Sequence, residues 1–123
     1  MERKLRVLII DNASIIRTLV REQLKALGHE VTEEASSGEE ALAIFEQSRS
    51  RFDLVITGYR TFGLTGTMLG LGIRALRPRM PIIIMTGDDA DTLKPRDHGF
   101  PVLEKPFSMV EFQEAIEKAC GGE

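Results

Sequence analysis

The stretch Phe52-Asp53-Leu54-Val55-Ile56-Thr57-Gly58 decides the fold. Leu54, Val55 and Ile56 form an unbroken apolar run that stops at Thr57 and Gly58, and a loop carrying Gly63 and Gly66 follows. A run that is apolar on both faces suits a central parallel strand, covered by helices on both sides of the sheet. In such sheets ligands gather just beyond the carboxyl ends of the central strands. Gly58 stands at that point and has no side chain to offer.

Working outward, residues 5–10 (Leu-Arg-Val-Leu-Ile-Ile) read as a strand that ends in Asp11-Asn12. Ile16, Leu19/Val20, Leu24 and Leu27 then recur at helical spacing over residues 13–27, and Gly28 supplies a left-handed stop. Residues 31–35 form a short strand whose Thr32, Glu33 and Glu34 suit a sheet edge, where carboxylates discourage pairing with another chain. Ser36 or Ser37 caps the next helix, with Glu39 and Glu40 in its first turn and Leu42 and Phe45 on its buried face.

Beyond the central strand a third helix is expected over residues 66–76. Gly70 and Gly72 oppose it by about 1 kcal/mol each relative to alanine. Pro81 opens an all-apolar strand over residues 82–86. The polar segment 88–98, with Pro95, predicts only a short, weak helix. Residues 100–103 make the last strand, and Pro101 within it points to an edge. Ser108 caps a closing helix with apolar positions Met109, Phe112, Ile116 and Ala119. Five strands alternating with five helices and joined by right-handed crossovers give a parallel α/β sheet. The apolar first, third and fourth strands belong in its centre, which yields the order 2-1-3-4-5. The ends of strands one and three then lie side by side at the switch point.

Composition bounds the function. A chain of 123 residues fits one domain. Its 42% hydrophobic and 28% charged content is that of an ordinary globular protein and argues against disorder. A net charge of −3, with the basic residues scattered, gives no footprint for nucleic acid or for an acidic membrane surface. Cys120 is the only cysteine, which excludes an internal disulfide and a cysteine metal site. The first apolar run is too short for a signal peptide or a membrane span, so a cytoplasmic domain is expected.

The strand order brings Asp11, Asn12 and Gly58 into one pocket, with Thr86 at the end of strand four and Lys105 at the end of strand five. Here the chain resembles the response-regulator receiver domains of two-component phosphorelay signalling, along nearly its whole length. The matching motifs are Val7-Leu8-Ile9-Ile10-Asp11-Asn12 with Arg17 beyond, Asp53-Leu54-Val55-Ile56-Thr57, Leu64-Thr65-Gly66, Ile83-Ile84-Met85-Thr86-Gly87 and Leu103-Glu104-Lys105-Pro106-Phe107. The resemblance implies a single receiver-like domain over residues 1–123, with a flavodoxin-like (βα)5 three-layer sandwich. It also implies a signalling role without enzymatic turnover, and a sensor histidine kinase or another signalling protein as partner.

In that family an aspartate ending strand three takes a phosphoryl group from a kinase histidine. An acidic pair after strand one holds Mg²⁺ with it, and a hydroxyl and a lysine after strands four and five bind the phosphoryl oxygens. The chain retains Asp11, Thr86 and Lys105 of this set. Gly58 occupies the nucleophile position, and Asn12 replaces the acidic residue that touches the metal. Mg²⁺ dehydrates reluctantly and relies on carboxylates. The site of Asp11 and Asn12 is therefore expected to bind it weakly or not at all, and no cofactor is expected. Arg60-Thr61-Phe62 and Val102 also depart from the family pattern. Thr57 is no substitute nucleophile, because side chains alternate along a strand and it faces away from position 58. Without a phosphoryl group Lys105 needs a counter-charge, which predicts an Asp11–Lys105 ion pair; a cis Lys105–Pro106 bond is implied by the family.

The function expected is that of a pseudo-receiver, acting by protein–protein contact. The last helices, with Phe112 and Ile116, are a candidate dimer or partner face, against the plainer reading that they only pack on the sheet. One alternative is a phosphorylatable receiver in which Gly58 is a variant or engineered residue. Another is a flavodoxin-like domain binding a nucleotide or flavin, although Asp11-Asn12-Ala13-Ser14 offers no glycine to cradle a phosphate. Gly70-Leu-Gly72-Ile-Arg-Ala75 matches a dinucleotide pattern in letters but falls inside a helix. Asp88, Asp89 and Asp91 lack calcium-loop spacing. Met68, Met80, Met85 and Met109 read as core filler.

Overall fold

The computed structural model describes residues 3–87, 95–96 and 98–121. Its elements run β1 (Arg6–Ile10), α1 (Ser14–Ala26), β2 (Glu30–Ala35), α2 (Gly38–Gln47), a 3₁₀ turn (Arg49–Arg51), β3 (Leu54–Gly58), α3 (Gly66–Leu76), β4 (Ile82–Thr86), β5 (Val102–Glu104) and α4 (Met109–Cys120). All strand pairs are parallel and the order is β2-β1-β3-β4-β5. This is the expected flavodoxin-like sandwich, with four α-helices among the described residues. The segment expected to hold the weak fourth helix of the repeat, together with Asp88, Asp89 and Asp91, falls largely outside them.

Alternation along the central strands divides the core in two. Leu8, Ile10, Val55, Ile82 and Ile84 pack under Phe45 of α2 and Leu69 and Ile73 of α3. Val7, Ile9, Leu54, Ile56, Ile83 and Met85 pack under Val20 and Leu24 of α1 and Phe112 and Ile116 of α4. Every residue of β3 and β4 is buried, which is why both read as apolar runs without alternation.

Local chemistry sets the helix ends. Ser37, Thr65 and Ser108 each accept a backbone N–H of the first turn, and Ser108 forms a reciprocal capping box with Glu111. Gly28, at φ +89°, turns the chain after α1. Gly70 has a tertiary reason to be glycine: a Cβ there would stand 2.7 Å from the Phe100 ring, which seals the sheet edge and lies under the Arg74 guanidinium at 4.1 Å. Arg74 is held below its usual pKa by burial. Gly72 has no such contact, since Leu42 is 3.5 Å away at its nearest.

Several expectations are corrected. The last strand begins at Val102 and excludes Phe100 and Pro101; proline lacks the donor, and Pro101 contributes only its carbonyl, which accepts from the Ile84 N–H at 3.0 Å. Phe112 and Ile116 are buried against the sheet and so offer no face to a partner or a second copy. Met80 and Met85 are core residues as expected, but Met68 and Met109 are exposed, as is Leu19 of α1. Helical spacing leaves such boundary positions undecided, and only the packing of the neighbouring element settles them. No helix of the described residues is long and apolar enough to cross a membrane.

Candidate functional site

The carboxyl end of the sheet is assembled first by backbone contacts. The Asp11 N–H donates to the Ala35 carbonyl at 3.1 Å, joining the end of β1 to β2. The Arg17 guanidinium donates to the Asp11 carbonyl at 2.6 Å and to Glu34 at 3.3 Å, and Arg21 holds the other oxygen of Glu34. Helix α1 thus clamps the strand end that presents Asp11. On the other side, the Lys105 N–H donates to the Thr86 carbonyl at 2.7 Å and the Lys105–Pro106 bond is cis, as expected.

Gly66 brings α3 up to the end of β3. Its N–H donates to the Tyr59 carbonyl at 2.7 Å, and a Cβ on it would lie 2.5 Å from the Gly58 carbonyl oxygen. The approach is closer than any side chain allows, so glycine is required here.

Asp11 is nearly fully buried, and both of its carboxylate oxygens have partners. Oδ1 accepts from the Ala13 N–H at 2.9 Å, and Oδ2 lies 3.8 Å from Lys105 Nζ. The second distance is that of an ion pair, longer than a direct hydrogen bond. The same Oδ2 would stand 2.8 Å from a Cβ at position 58. The carboxylate of β1 therefore leans into the space that any side chain at the end of β3 would need.

Beside this pair lies a cavity of about 350 Å³, lined among others by Asp11, Asn12, Gly58, Arg60 and Lys105. The strand register explains who faces it. Met85 pairs with Gly58 and lines the cavity, whereas Thr86, one residue on, falls on the other side of the strand. Thr86 is thus not among the lining residues, against the expectation that it joins the pocket. Its hydroxyl is buried and has no hydrogen-bond partner among the described residues. Thr57 also turns away, donating to the Gly58 carbonyl at 2.9 Å. Arg60 is the lining residue that sequence reasoning overlooked. Its signal is a cationic side chain two residues past the end of the central strand. Among the described residues no three His, Cys, Asp or Glu side chains cluster as a metal site.

A larger cavity, about 720 Å³, opens at the opposite, amino end of the sheet and includes Arg3, His29, Asp53 and Arg77 in its lining. There Asp53 is gripped by Arg6: Oδ2 accepts from the Arg6 amide at 2.8 Å and Nε at 3.0 Å, and Oδ1 accepts from Nη2 at 3.1 Å. These bonds, the side-chain ones foremost, hold the Asp53 carboxyl below the usual aspartate range.

The fold and the site together define a class, and comparison with known proteins agrees. The family model for the response regulator receiver domain matches residues 7–117. Chemotaxis protein CheY-3 of Vibrio cholerae is 27% identical over 96% of this chain and 93% of its own length. A receiver domain protein from Clostridium thermocellum superposes with a TM-score of 0.86 at 30% identity, over 95% of this chain and 94% of that one. The receiver domain of a sensor histidine kinase from Pseudomonas aeruginosa, solved with magnesium in its active site cleft, gives a TM-score of 0.82 at 26% identity, covering 97% of this chain and 99% of that one. The chain belongs to the response-regulator receiver domains of two-component signalling.

Proposed function

We propose that this domain is a pseudo-receiver: it is not phosphorylated at the usual position and signals by protein–protein contact. One observation carries the reading. The residue ending β3 is Gly58, and the Asp11 carboxylate occupies the space beside it, 2.8 Å from where a Cβ would be. Position 58 has no nucleophile, and the neighbouring carboxylate is paired with Lys105. The donor set does not fit a magnesium ion either. Asp11 is committed at both oxygens, Asn12 supplies no charge and Gly58 supplies no oxygen from a side chain. Mg²⁺ sites of this kind are built on one or two carboxylates free to coordinate.

Contact surface remains available. Ile15 and Leu19 of α1 are 76% and 51% exposed, and Leu19 borders a cavity of about 420 Å³ that Ile16, Pro106 and Phe107 also line. An apolar patch beside a cationic rim at Lys105 fits a sensor histidine kinase or another signalling protein as partner. The test is incubation with a small phosphodonor and Mg²⁺ followed by intact-mass measurement. The mass is expected to stay unchanged. An acid-labile phosphoryl adduct overturns the proposal in favour of a working receiver in which Gly58 is a variant residue.

A further inference from the structure

We infer that the outer face of α2 and α3 is a docking surface for a basic amphipathic helix of a partner protein. This face lies across the sheet from the α1 patch, and the inference stands whether or not position 58 is phosphorylated. Three observations converge. First, Phe62, Met68 and Leu71 are 63%, 53% and 43% exposed, and Ala75 is exposed as well. Met68, Leu71 and Ala75 stand at i, i+3 and i+7, a single stripe along α3, and no charged residue occurs between Arg60 and Arg74. Second, Gly72 lies beside that stripe. No contact inside the fold requires glycine there, since a Cβ would meet Leu42 of α2 at an ordinary 3.5 Å. The missing side chain indents the seam between the two helices, where a helix from outside can approach closely. Third, the flank on α2 is acidic. Residues 38–48 carry Glu39, Glu40 and Glu46, all exposed, and no lysine or arginine. The Glu39 carboxylate fills the space that a Cβ on Gly63 would need, so it borders the apolar patch next to Phe62. Among the described residues none of the three glutamates makes an ion pair.

Charge selects the occupant. An apolar stripe beside a row of carboxylates is complemented by a helix with large apolar side chains at i, i+3, i+4 and i+7 and lysine or arginine along one flank. A second copy brought antiparallel onto the same face stacks α2 on α2, which sets these glutamates against their own copies. An anionic lipid surface is repelled by the same glutamates. Met68, long and unbranched, adapts its shape to whatever side chain faces it. The stripe runs along an 11-residue helix and is therefore about 16 Å long. That is at the low end of interface sizes, so binding is expected to be weak and reversible.

The experiment is an NMR titration of the intact chain with a synthetic amphipathic peptide of about 15 residues, long enough to be helical alone. It carries leucines at i, i+3, i+4 and i+7 and lysines on one flank; a matched peptide has glutamates in place of the lysines. Saturable amide shifts are expected with the lysine peptide at Gly63, Met68, Leu71, Gly72 and Ala75. The glutamate peptide should bind about tenfold more weakly, as the loss of several exposed ion pairs implies. Leu71→Glu should also weaken the lysine peptide about tenfold or more, and Glu39→Gln with Glu46→Gln should narrow its advantage over the glutamate peptide. Both changes fall on exposed side chains, and amide dispersion checks that the fold survives. Absence of saturable shifts up to about 1 mM peptide overturns the inference. So do shifts centred on Ile15 and Leu19 of α1, equal binding of the two peptides, or undiminished affinity in Leu71→Glu. A sedimentation-measured dimer that Leu71→Glu dissolves assigns the face to a second copy, and overturns the inference in that way. All of these outcomes leave the pseudo-receiver reading standing, which the phosphodonor experiment tests separately.

Discussion

The two ends of the sheet each hold an aspartate paired with a cation, and the pairs are built differently. At the amino end, Asp53 takes three hydrogen bonds from Arg6 and returns one from its own N–H to the Arg6 carbonyl at 2.7 Å. It lies where the β1–β3 ladder begins, so it closes the sheet. At the carboxyl end, Asp11 and Lys105 stand 3.8 Å apart beside an open cavity. The first pair is saturated with partners and structural. The second is loose and opens on the cavity. The contrast shows that the number of hydrogen bonds a carboxylate receives, three for Asp53 from Arg6 and one for Asp11 from Ala13, separates a tight ion pair from a loose one better than proximity to a cation does.

The contrast can be broken most forcefully at the carboxyl end, through its backbone. Gly66→Ala puts a methyl group 2.5 Å from the Gly58 carbonyl and 3.0 Å from the Tyr59 Cα. Backbone on both sides cannot yield cheaply, so a loss of about 3 kcal/mol is expected, at the upper end of the overpacking range. Urea unfolding measures it; a midpoint like that of the parent shows that α3 is not pinned to β3 in this way.

A smaller effect should come from the pair itself, with an asymmetry. Lys105→Met leaves the Asp11 carboxylate, 5% exposed, without its cation, whereas Asp11→Asn leaves Lys105, 31% exposed, free to reach water. Removing the lysine is expected to cost about 1–2 kcal/mol, below the range for a fully buried pair. Removing the carboxylate charge should cost less, about 0.5 kcal/mol, as for an exposed pair. Equal costs in denaturant titrations would show that the carboxylate is stabilised by the Ala13 amide alone.

The amino end is sharpened by pH. The Asp53 carboxyl is held below its ordinary value by Arg6, so its stabilising contribution is complete above the unfolded aspartate pKa, about 3.9. That contribution is lost as pH falls through the lower folded value. Asp53→Asn should therefore be less stable than the parent at pH 7, with the gap closing under acid. A gap independent of pH would mean that shape, and not charge, holds this corner.

Much of the molecule was legible in its residues. The bounds of α3 and β4, the Gly28 stop, the Ser108 cap and the sheet order follow from periodicity, punctuation and the apolar runs of residues 54–56 and 82–85. These are local signals, set within a few residues of chain. The errors share a different character. The sequence alone puts Pro101 inside a strand and Met109 inside the core, because an edge or a boundary is defined by what packs against it.

The same division runs through the site. From the chain alone came Gly58 at the end of the central strand and the need of Lys105 for a counter-charge, since both depend on residue type and on the order of elements. Only the folded arrangement decided that Asp11 leans into the space beside Gly58, that register turns Thr86 out of the cavity while Arg60 lines it, and that Gly70 admits Phe100. Those outcomes rest on distances between segments far apart in sequence, where a shift of one residue in register or one ångström in approach changes which atoms meet.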